Sequence, residues 1–402
     1  MTAYETGVEA LPEVKYQRRP YLVVTRESAR RKDVYGSIDD AVVRQAQLLR
    51  GDLESDTAVV AMHPIGAPGY LPAFSHLART GLHVVACATR YSVGDAGLQM
   101  ENALLDLAAC ISDVKNRLGY ERVILVGWSG GGSLMAGYQA EAEHRTITAT
   151  AAGEPTPLTD TELIAADGLI LMAAHRSRHH LLTDFLDPSI RDEDRPQIRD
   201  PELNIYDPRN PHKAPFSPEY LAQYRAAQRE RNARITNRAL ERLDAMKTSG
   251  RPDDEHCFVV QGTMADPRWV DPTVDPNDRR PGWSYLGDPR IANDGPAGLA
   301  RFTTTRAWLS QWSLERAQVD AVDAAERITV PTLVTVNTAD DACPDSHPRD
   351  FFDRLPGQNK ELHNIVGANH YFSGQGEQRG HLDTVARHVH EWGRKYGLLK
   401  HG

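Results

Sequence analysis

Positive charge is the scarcer sign in this chain of 402 residues, in which 46 lysines and arginines face 55 aspartates and glutamates for a net charge of −9. The basic groups Arg18-Arg19 and Arg30-Arg31-Lys32 are too short to form a nucleic-acid-binding surface. No apolar run has the length needed to cross a bilayer, and residues 1–20 lack the apolar stretch of a secretory signal. We therefore predict a cytoplasmic protein with neither a nucleic-acid nor a membrane partner.

Cysteine is also rare. The four cysteines are scattered and form no C-x-x-C pair: Cys87, Cys110, Cys257 and Cys343. This pattern is typical of structural thiols in a reducing compartment and not of a disulfide framework.

Metal and cofactor motifs are missing as well. His175, His179 and His180 include an i, i+4 pair but no matching carboxylate motif. Asp271, Asp275 and Asp278 lack the spacing of a calcium loop. There is no dinucleotide fingerprint, and residues 130–132, three glycines, are not followed by the lysine of a phosphate loop. We predict no metal and no cofactor.

Short apolar runs alternate with segments of helical composition. The predicted strands are 21–25, 57–62, 82–87, 122–126, 168–172, 330–336 and 360–366. The predicted helices are 37–49, 71–80, 98–118, 132–143, 218–247, 298–317 and 382–396. This alternation predicts an α/β fold with a mostly parallel central sheet covered by helices on both faces. Ligands bind such sheets at the carboxyl ends of the strands.

The pattern changes between residues 176 and 325, which are rich in proline, aspartate and arginine and show no parallel-strand rhythm. We predict that residues 176–325 (the insertion) form a large, mainly helical cap over the carboxyl end of the sheet. The core then comprises residues 1–175 and 326–402.

Gly127-Trp128-Ser129-Gly130-Gly131 has the pattern G-x-S-x-G and lies between a predicted strand and a predicted helix. This is the context of a nucleophile elbow, in which a strained turn exposes the serine Oγ above the sheet. Glycines allow the helix to pack close to the strand.

Asp340 follows the next-to-last predicted strand and His370 follows the last one. With Ser129 before them, the chain resembles the α/β-hydrolase family, in particular cap-bearing serine esterases and dienelactone-hydrolase-like proteins. The resemblance implies the α/β-hydrolase fold, with Ser129 as nucleophile and His370 as base. It also favours Asp340 as the acid, because family acids in this loop usually lie four residues before a proline, here Pro344. Asp341 is the alternative.

An oxyanion hole requires two backbone N–H groups. Gly130 would provide one. The loop after residue 62 would provide the other, and because Pro64 has no N–H, Ile65 or Gly66 must be the donor. We expect His63 to brace this loop.

Aromatic residues are candidates for substrate contact. We assign this role to Trp128 beside the nucleophile and to Trp283 and Tyr285 in a loop of the insertion. Trp308 and Trp312, at i, i+4 spacing, are expected to form the insertion's own core.

Together these features predict an enzyme that cleaves an ester or lactone of a small-to-medium, partly apolar molecule through an acyl-enzyme. Two alternatives on the same residues are hydrolysis of a carbon–carbon bond and of a thioester. A rival of another class is a non-catalytic small-molecule binder. The only predicted partner is the small-molecule substrate, and the sequence leaves a homodimer open.

Overall fold

The structure is a computed structural model that describes residues 11–27, 32–34 and 40–400. Its strands are β1 (Tyr16–Arg26), β2 (Ala41–Gly51), β3 (Thr57–Ala61), β4 (His83–Cys87), β5 (Arg122–Trp128), β6 (Gly168–Met172), β7 (Cys257–Val259), β8 (Phe302–Thr304), β9 (Thr332–Asn337) and β10 (Lys360–Ile365). Its α-helices are α1 (Pro72–Arg79), α2 (Met100–Asn116), α3 (Gly130–Glu143), α4 (Arg178–Phe185), α5 (Pro218–Thr248), α6 (Pro289–Ala292), α7 (Thr305–Gln311), α8 (Ala321–Ala324), α9 (Ser346–Arg354) and α10 (Gln378–Lys395).

Eight strands form one sheet in the order β1-β2-β4-β3-β5-β6-β9-β10. The pairs β1–β2 and β2–β4 are antiparallel, and all later pairs are parallel. The predicted strands from residue 57 onward are confirmed to within two residues at each end, and the first is longer than predicted. The α/β fold class with a mostly parallel sheet is therefore confirmed.

Both faces of the sheet are buried. Along β5, Ile124 packs into one apolar cluster together with side chains of α1 and α10, whereas the next residue, Leu125, packs into a second cluster with side chains of α2 and α3. Because successive side chains of a strand point to opposite faces, a strand covered on both sides must be apolar at every position. This requirement explains why β3, β5 and β6 were evident in the sequence.

The predicted helix over 37–49 is wrong where the structure describes it. Residues 41–51 form strand β2, whereas Ser37 and Asp39 lie outside the described residues. Val42, Arg44, Ala46 and Leu48 are buried in strict alternation. The helix-like spacing of the apolar residues is overridden because β2 pairs with β1 on one side and β4 on the other.

The insertion contains α4 to α8 and a small antiparallel pair, β7–β8. The predicted helix over 218–247 is confirmed as α5. The predicted helix over 298–317 is too long, because residues 302–304 form β8 and the helix that follows ends at Gln311. Three-residue strands carry too little alternation to be recognised in a sequence.

The insertion is fastened to the loop after β9. Asn277 Nδ2 donates to the Asp340 carbonyl (2.9 Å), Trp269 Nε1 to the Asp341 carbonyl (3.0 Å), and Arg268 Nη2 to the Ala342 carbonyl (3.0 Å). These bonds bring insertion residues to the carboxyl end of the sheet. Within the described part of the chain, no helix has both the length and the apolarity needed to cross a membrane.

Candidate active site

Ser129 is the single residue between β5 and α3, and its backbone lies at φ 55° and ψ −125°. Such a conformation is strained for a residue with a Cβ and occurs where the surrounding structure enforces it. A Cβ on Gly131 would approach the Met62 carbonyl oxygen to 2.6 Å, and one on Gly127 would overlap the Gly131 carbonyl. Both glycines are therefore required for the tight strand-to-helix turn.

His370 and Asp340 complete a hydrogen-bonded chain with Ser129. His370 Nε2 is 3.0 Å from Ser129 Oγ, and His370 Nδ1 is 3.1 Å from Asp340 Oδ2. His370 and Asp340 follow β10 and β9, and both are almost completely buried. The structure thus brings together three side chains, of which the first and the last, Ser129 and His370, are 241 residues apart in the sequence.

The orientation of the Asp340 carboxylate is set by its other oxygen. Oδ1 accepts hydrogen bonds from the backbone N–H groups of Ala342 and Cys343, both at 2.8 Å. Oδ2 is therefore directed at the imidazole. The neighbouring Asp341 is also buried. Burial first, and the charge of Asp340 second, raise the pKa of its carboxyl.

Trp128 and Tyr371 surround the imidazole. Trp128 Nε1 donates to the His370 carbonyl (2.9 Å), and the two rings lie 4.6 Å apart between centroids. The Tyr371 ring meets the His370 ring edge-on at 5.3 Å. Trp128, a predicted substrate contact, therefore also holds the loop that carries His370.

The two predicted oxyanion donors lie near the elbow. Gly130 begins α3, where the first backbone N–H groups have no partner within the helix. In the other loop, His63 Nδ1 lies 2.7 Å from the Ile65 carbonyl oxygen and 3.2 Å from the Ile65 nitrogen. A ring nitrogen donates or accepts, but not both. The shorter distance favours donation to the carbonyl, which leaves the Ile65 N–H available and gives His63 the expected bracing role.

Burial first, and the Arg178 charge second, lower the pKa of His63 to about 3. His63 is therefore neutral at ordinary pH.

An apolar cavity of about 350 Å³ adjoins this loop. Its lining includes Ile65, Pro68, Leu71, Val93, Trp128 and Tyr371. Because Trp128 and Tyr371 also contact the His370 ring, the cavity is placed to receive an apolar part of a molecule bound at Ser129.

The structure separates the histidines that the sequence groups together. His180 Nδ1 and Arg176 Nε both contact Asp320 Oδ2, at 3.1 and 3.0 Å, and His179 Nε2 lies 3.5 Å from the same oxygen. Asp320 is thus surrounded by two histidine rings and by Arg176, with which it forms an ion pair. His175, in contrast, lies at the nucleophile elbow beside Gly130.

Three side chains at the elbow were not predicted as site residues. His175, at the end of the core segment, and Arg178, in the insertion, lie beside Gly130. Cys343 Sγ lies within 4.8 Å of a carboxylate oxygen of Asp340 and of a ring nitrogen of His370. Burial raises the pKa of the Cys343 thiol well above its ordinary value, so it stays protonated. Only His175 had a sequence signal, its position three residues after the predicted strand 168–172.

The candidate aromatic contacts of the insertion fall in different places. The Tyr285 ring lies 6.2 Å from the His370 ring. The Trp283 ring is 39 % exposed and packs against the guanidinium of Arg280, so its role in substrate binding stays a prediction. Trp308 and Trp312 are buried in one apolar cluster, as expected for the core of the insertion.

Tyr285→Ala should therefore change mainly the kinetics, whereas Trp308→Ala should change mainly the stability. We expect Tyr285→Ala to raise KM with little loss of thermal stability, because it removes a ring facing His370. Trp308→Ala should lower the free energy of unfolding by about 3–5 kcal/mol, because it empties a fully buried site. Denaturant unfolding and steady-state kinetics on both variants, with Trp283→Ala beside them, provide the check. An unchanged KM for Tyr285→Ala would remove Tyr285 from the substrate site.

The fold of this chain is similar to the folds of several solved structures. GrgF, described as an α/β hydrolase from Penicillium sp. sh18, is 10 % identical, covers 94 % of this chain and 99 % of its own, and superimposes with a TM-score of 0.51. DcsB, solved with a substrate analogue, is 13 % identical over 95 % of this chain and 99 % of its own, with a TM-score of 0.49. Est1E from Butyrivibrio proteoclasticus is 13 % identical over 88 % and 95 %, with a TM-score of 0.44.

No protein-family model and no curated protein sequence matches the chain. The structural similarity shows the fold: the chain has the α/β-hydrolase fold.

Proposed function

We propose that the protein is a serine hydrolase that cleaves an ester or lactone through Ser129, His370 and Asp340. The observation that carries the proposal is the continuous hydrogen-bonded chain from Ser129 Oγ through both ring nitrogens of His370 to Asp340 Oδ2. A serine hydroxyl is a weak nucleophile unless an adjacent base takes its proton. A buried carboxylate at the other ring nitrogen holds the imidazole in the required tautomer and stabilises the imidazolium.

In the first half-reaction, Ser129 Oγ attacks the carbonyl carbon while its proton moves to His370 Nε2. The carbonyl oxygen becomes an oxyanion, which the N–H groups of Gly130 and Ile65 would stabilise. Collapse of the tetrahedral intermediate breaks the bond to the alkoxy oxygen, which takes the proton from His370. Ser129 remains as an ester of the acyl group.

In the second half-reaction, water attacks the acyl-enzyme and gives its proton to His370. The second tetrahedral intermediate releases the carboxylic acid, and Ser129 Oγ recovers its proton from His370. Each proton that leaves a nucleophile is returned, so the enzyme ends unchanged.

The neighbouring cavity supports the substrate class. Its lining of Ile65, Leu71, Val93 and Trp128 suits an apolar group of the substrate. We further propose that the insertion acts as a cap, because Tyr285 and Arg178 reach the elbow from it. The compartment in which this chemistry takes place is expected to be the cytoplasm.

Labelling with a fluorophosphonate probe tests the proposal. We expect the wild-type protein to be modified at Ser129 and Ser129→Ala to be unreactive. Ser92→Ala is the matched control, since Ser92 lines the adjacent cavity but is not bonded to His370. A folded wild-type protein that stays unlabelled would contradict the proposal and favour a non-catalytic binder.

A further inference from the structure

A second cavity of about 350 Å³ lies within the insertion, beside helix α5 and strand β7. All of its lining residues belong to the insertion, and none of them lines the cavity beside Ser129. Its volume falls in the range of small-molecule sites in proteins. The cavity is therefore a candidate binding site that the proposed chemistry does not use.

One face of α5 forms a wall of this cavity. The helix supplies Ile235, Arg238, Ala239 and Arg242 to the lining. Their spacing of i, i+3, i+4 and i+7 places them on one side of a helix. Along this face the two apolar residues are buried and the two arginines are exposed. The wall is thus apolar at the inside of the cavity and cationic toward the solvent.

Strand β7 and the residue after it complete the apolar part of the lining. Phe258 and Val260 both line the cavity. Val260 is buried in the same apolar cluster as Ile235 and Ala239. The Phe258 ring packs against this cluster and lies 6.2 Å from the Trp308 ring. A surface of this kind favours a hydrocarbon segment, because the transfer of apolar groups out of water is favourable.

The acidic side chains of the lining already have counter-ions. Both carboxylate oxygens of Glu193 accept hydrogen bonds from the buried guanidinium of Arg231, at 2.8 and 2.7 Å. Asp194 Oδ1 accepts a hydrogen bond from Arg238 Nη2 at 2.8 Å. Each acid therefore has a cation within hydrogen-bonding distance, and the two pairs add no net charge to the cavity.

Arg242 is a cation of the lining without a counter-ion. In the part of the chain that the structure describes, its guanidinium has neither a hydrogen-bond nor an ion-pair partner. It lies one helical turn from Arg238, and like charges at this spacing disfavour a helix. His256, the remaining titratable side chain of the lining, adds no negative charge in either protonation state. The lining therefore carries an excess positive charge at Arg242.

We propose that this cavity binds an aliphatic monocarboxylate, with its hydrocarbon chain against Ile235 and Val260 and its carboxylate at Arg242. An arginine guanidinium matches a planar carboxylate with two parallel N–H groups. A singly charged group suits the site better than a phosphate dianion, because Arg238 already pairs with Asp194 and leaves Arg242 to balance the ligand. The inference is independent of the proposed function, since none of the lining residues takes part in the proposed catalysis.

Isothermal titration calorimetry with octanoate tests the site, and 1-octanol and acetate serve as comparison ligands. The first comparison ligand lacks the charge and the second lacks the hydrocarbon chain. We expect each to bind at least about tenfold more weakly than octanoate, because each retains only part of the interaction. Binding of 1-octanol as tight as that of octanoate would overturn the assignment of a carboxylate.

Arg242→Gln should weaken the binding of octanoate by about 10- to 100-fold, the range for a lost hydrogen bond to a charged group. Arg229→Gln is the matched control, because Arg229 is an exposed arginine of the same helix that does not line the cavity. Unchanged affinity of Arg242→Gln for octanoate would overturn the proposed role of Arg242.

Ala239→Leu tests the apolar wall without a change of charge. The larger side chain should project into the cavity and weaken the binding of octanoate by at least about tenfold. Ala233→Leu, at an exposed position of α5 outside the lining, is the control. Thermal unfolding of each variant checks the fold. Absence of octanoate binding to the folded wild-type protein, or binding that both Arg242→Gln and Ala239→Leu leave unchanged, would overturn the inference.

Discussion

Ser129→Ala is expected to abolish ester hydrolysis, with a loss in kcat on the order of 10⁶-fold. The alanine removes the nucleophilic Oγ, which lies 3.0 Å from His370 Nε2. It keeps the Cβ, and its backbone can occupy the same strained conformation at φ 55° as serine does. The fold should therefore survive.

Steady-state kinetics on a reactive ester measures the loss, and circular dichroism with thermal unfolding checks the fold. Ser92→Ala should retain activity close to that of the wild-type protein, because Ser92 lines the adjacent cavity and is not bonded to His370. Near-normal turnover by a folded Ser129→Ala protein would remove Ser129 from the mechanism.

Asp340→Asn should reduce kcat by about 10⁴-fold, whereas Asp341→Asn should have a much smaller effect. In Asp340→Asn, the amide oxygen can still accept the N–H groups of Ala342 and Cys343. The amide nitrogen would then face His370 Nδ1 as a donor and force the wrong tautomer. Asp341→Asn leaves the contact between Asp340 Oδ2 and His370 Nδ1 in place, so we expect it to remove little.

The pair of variants is informative because the two residues are adjacent and chemically identical. Kinetics at several pH values on both variants, with unfolding curves as a control, decide between them. A larger loss in Asp341→Asn would identify Asp341 as the acid, one position later in the turn.

The local sequence pattern was sufficient to predict most strands of the sheet. Strands covered on both faces are apolar at every position, so β3, β5 and β6 were predicted nearly residue by residue. Strand β2 was missed because its register is set by pairing with β1 and β4 and not by its own composition. The β7–β8 pair was missed because each strand has only three residues.

The sequence by itself determined which chemical groups follow which strands: Ser129 after β5, Asp340 after β9 and His370 after β10. Parallel strands present their carboxyl ends at one edge, so this order alone predicts that the three side chains are close. Only the tertiary structure decided the rest. In the tertiary structure, Asp340 Oδ2 faces the imidazole of His370. Tyr285 lies beside His370, whereas Trp283 packs against Arg280. His175 lies at the elbow, apart from His179 and His180. Arg178 reaches Gly130 through contacts with Asp95 and Gln311, which lie 83 and 133 residues away in the chain. No local pattern encodes such contacts, because they depend on how distant segments pack.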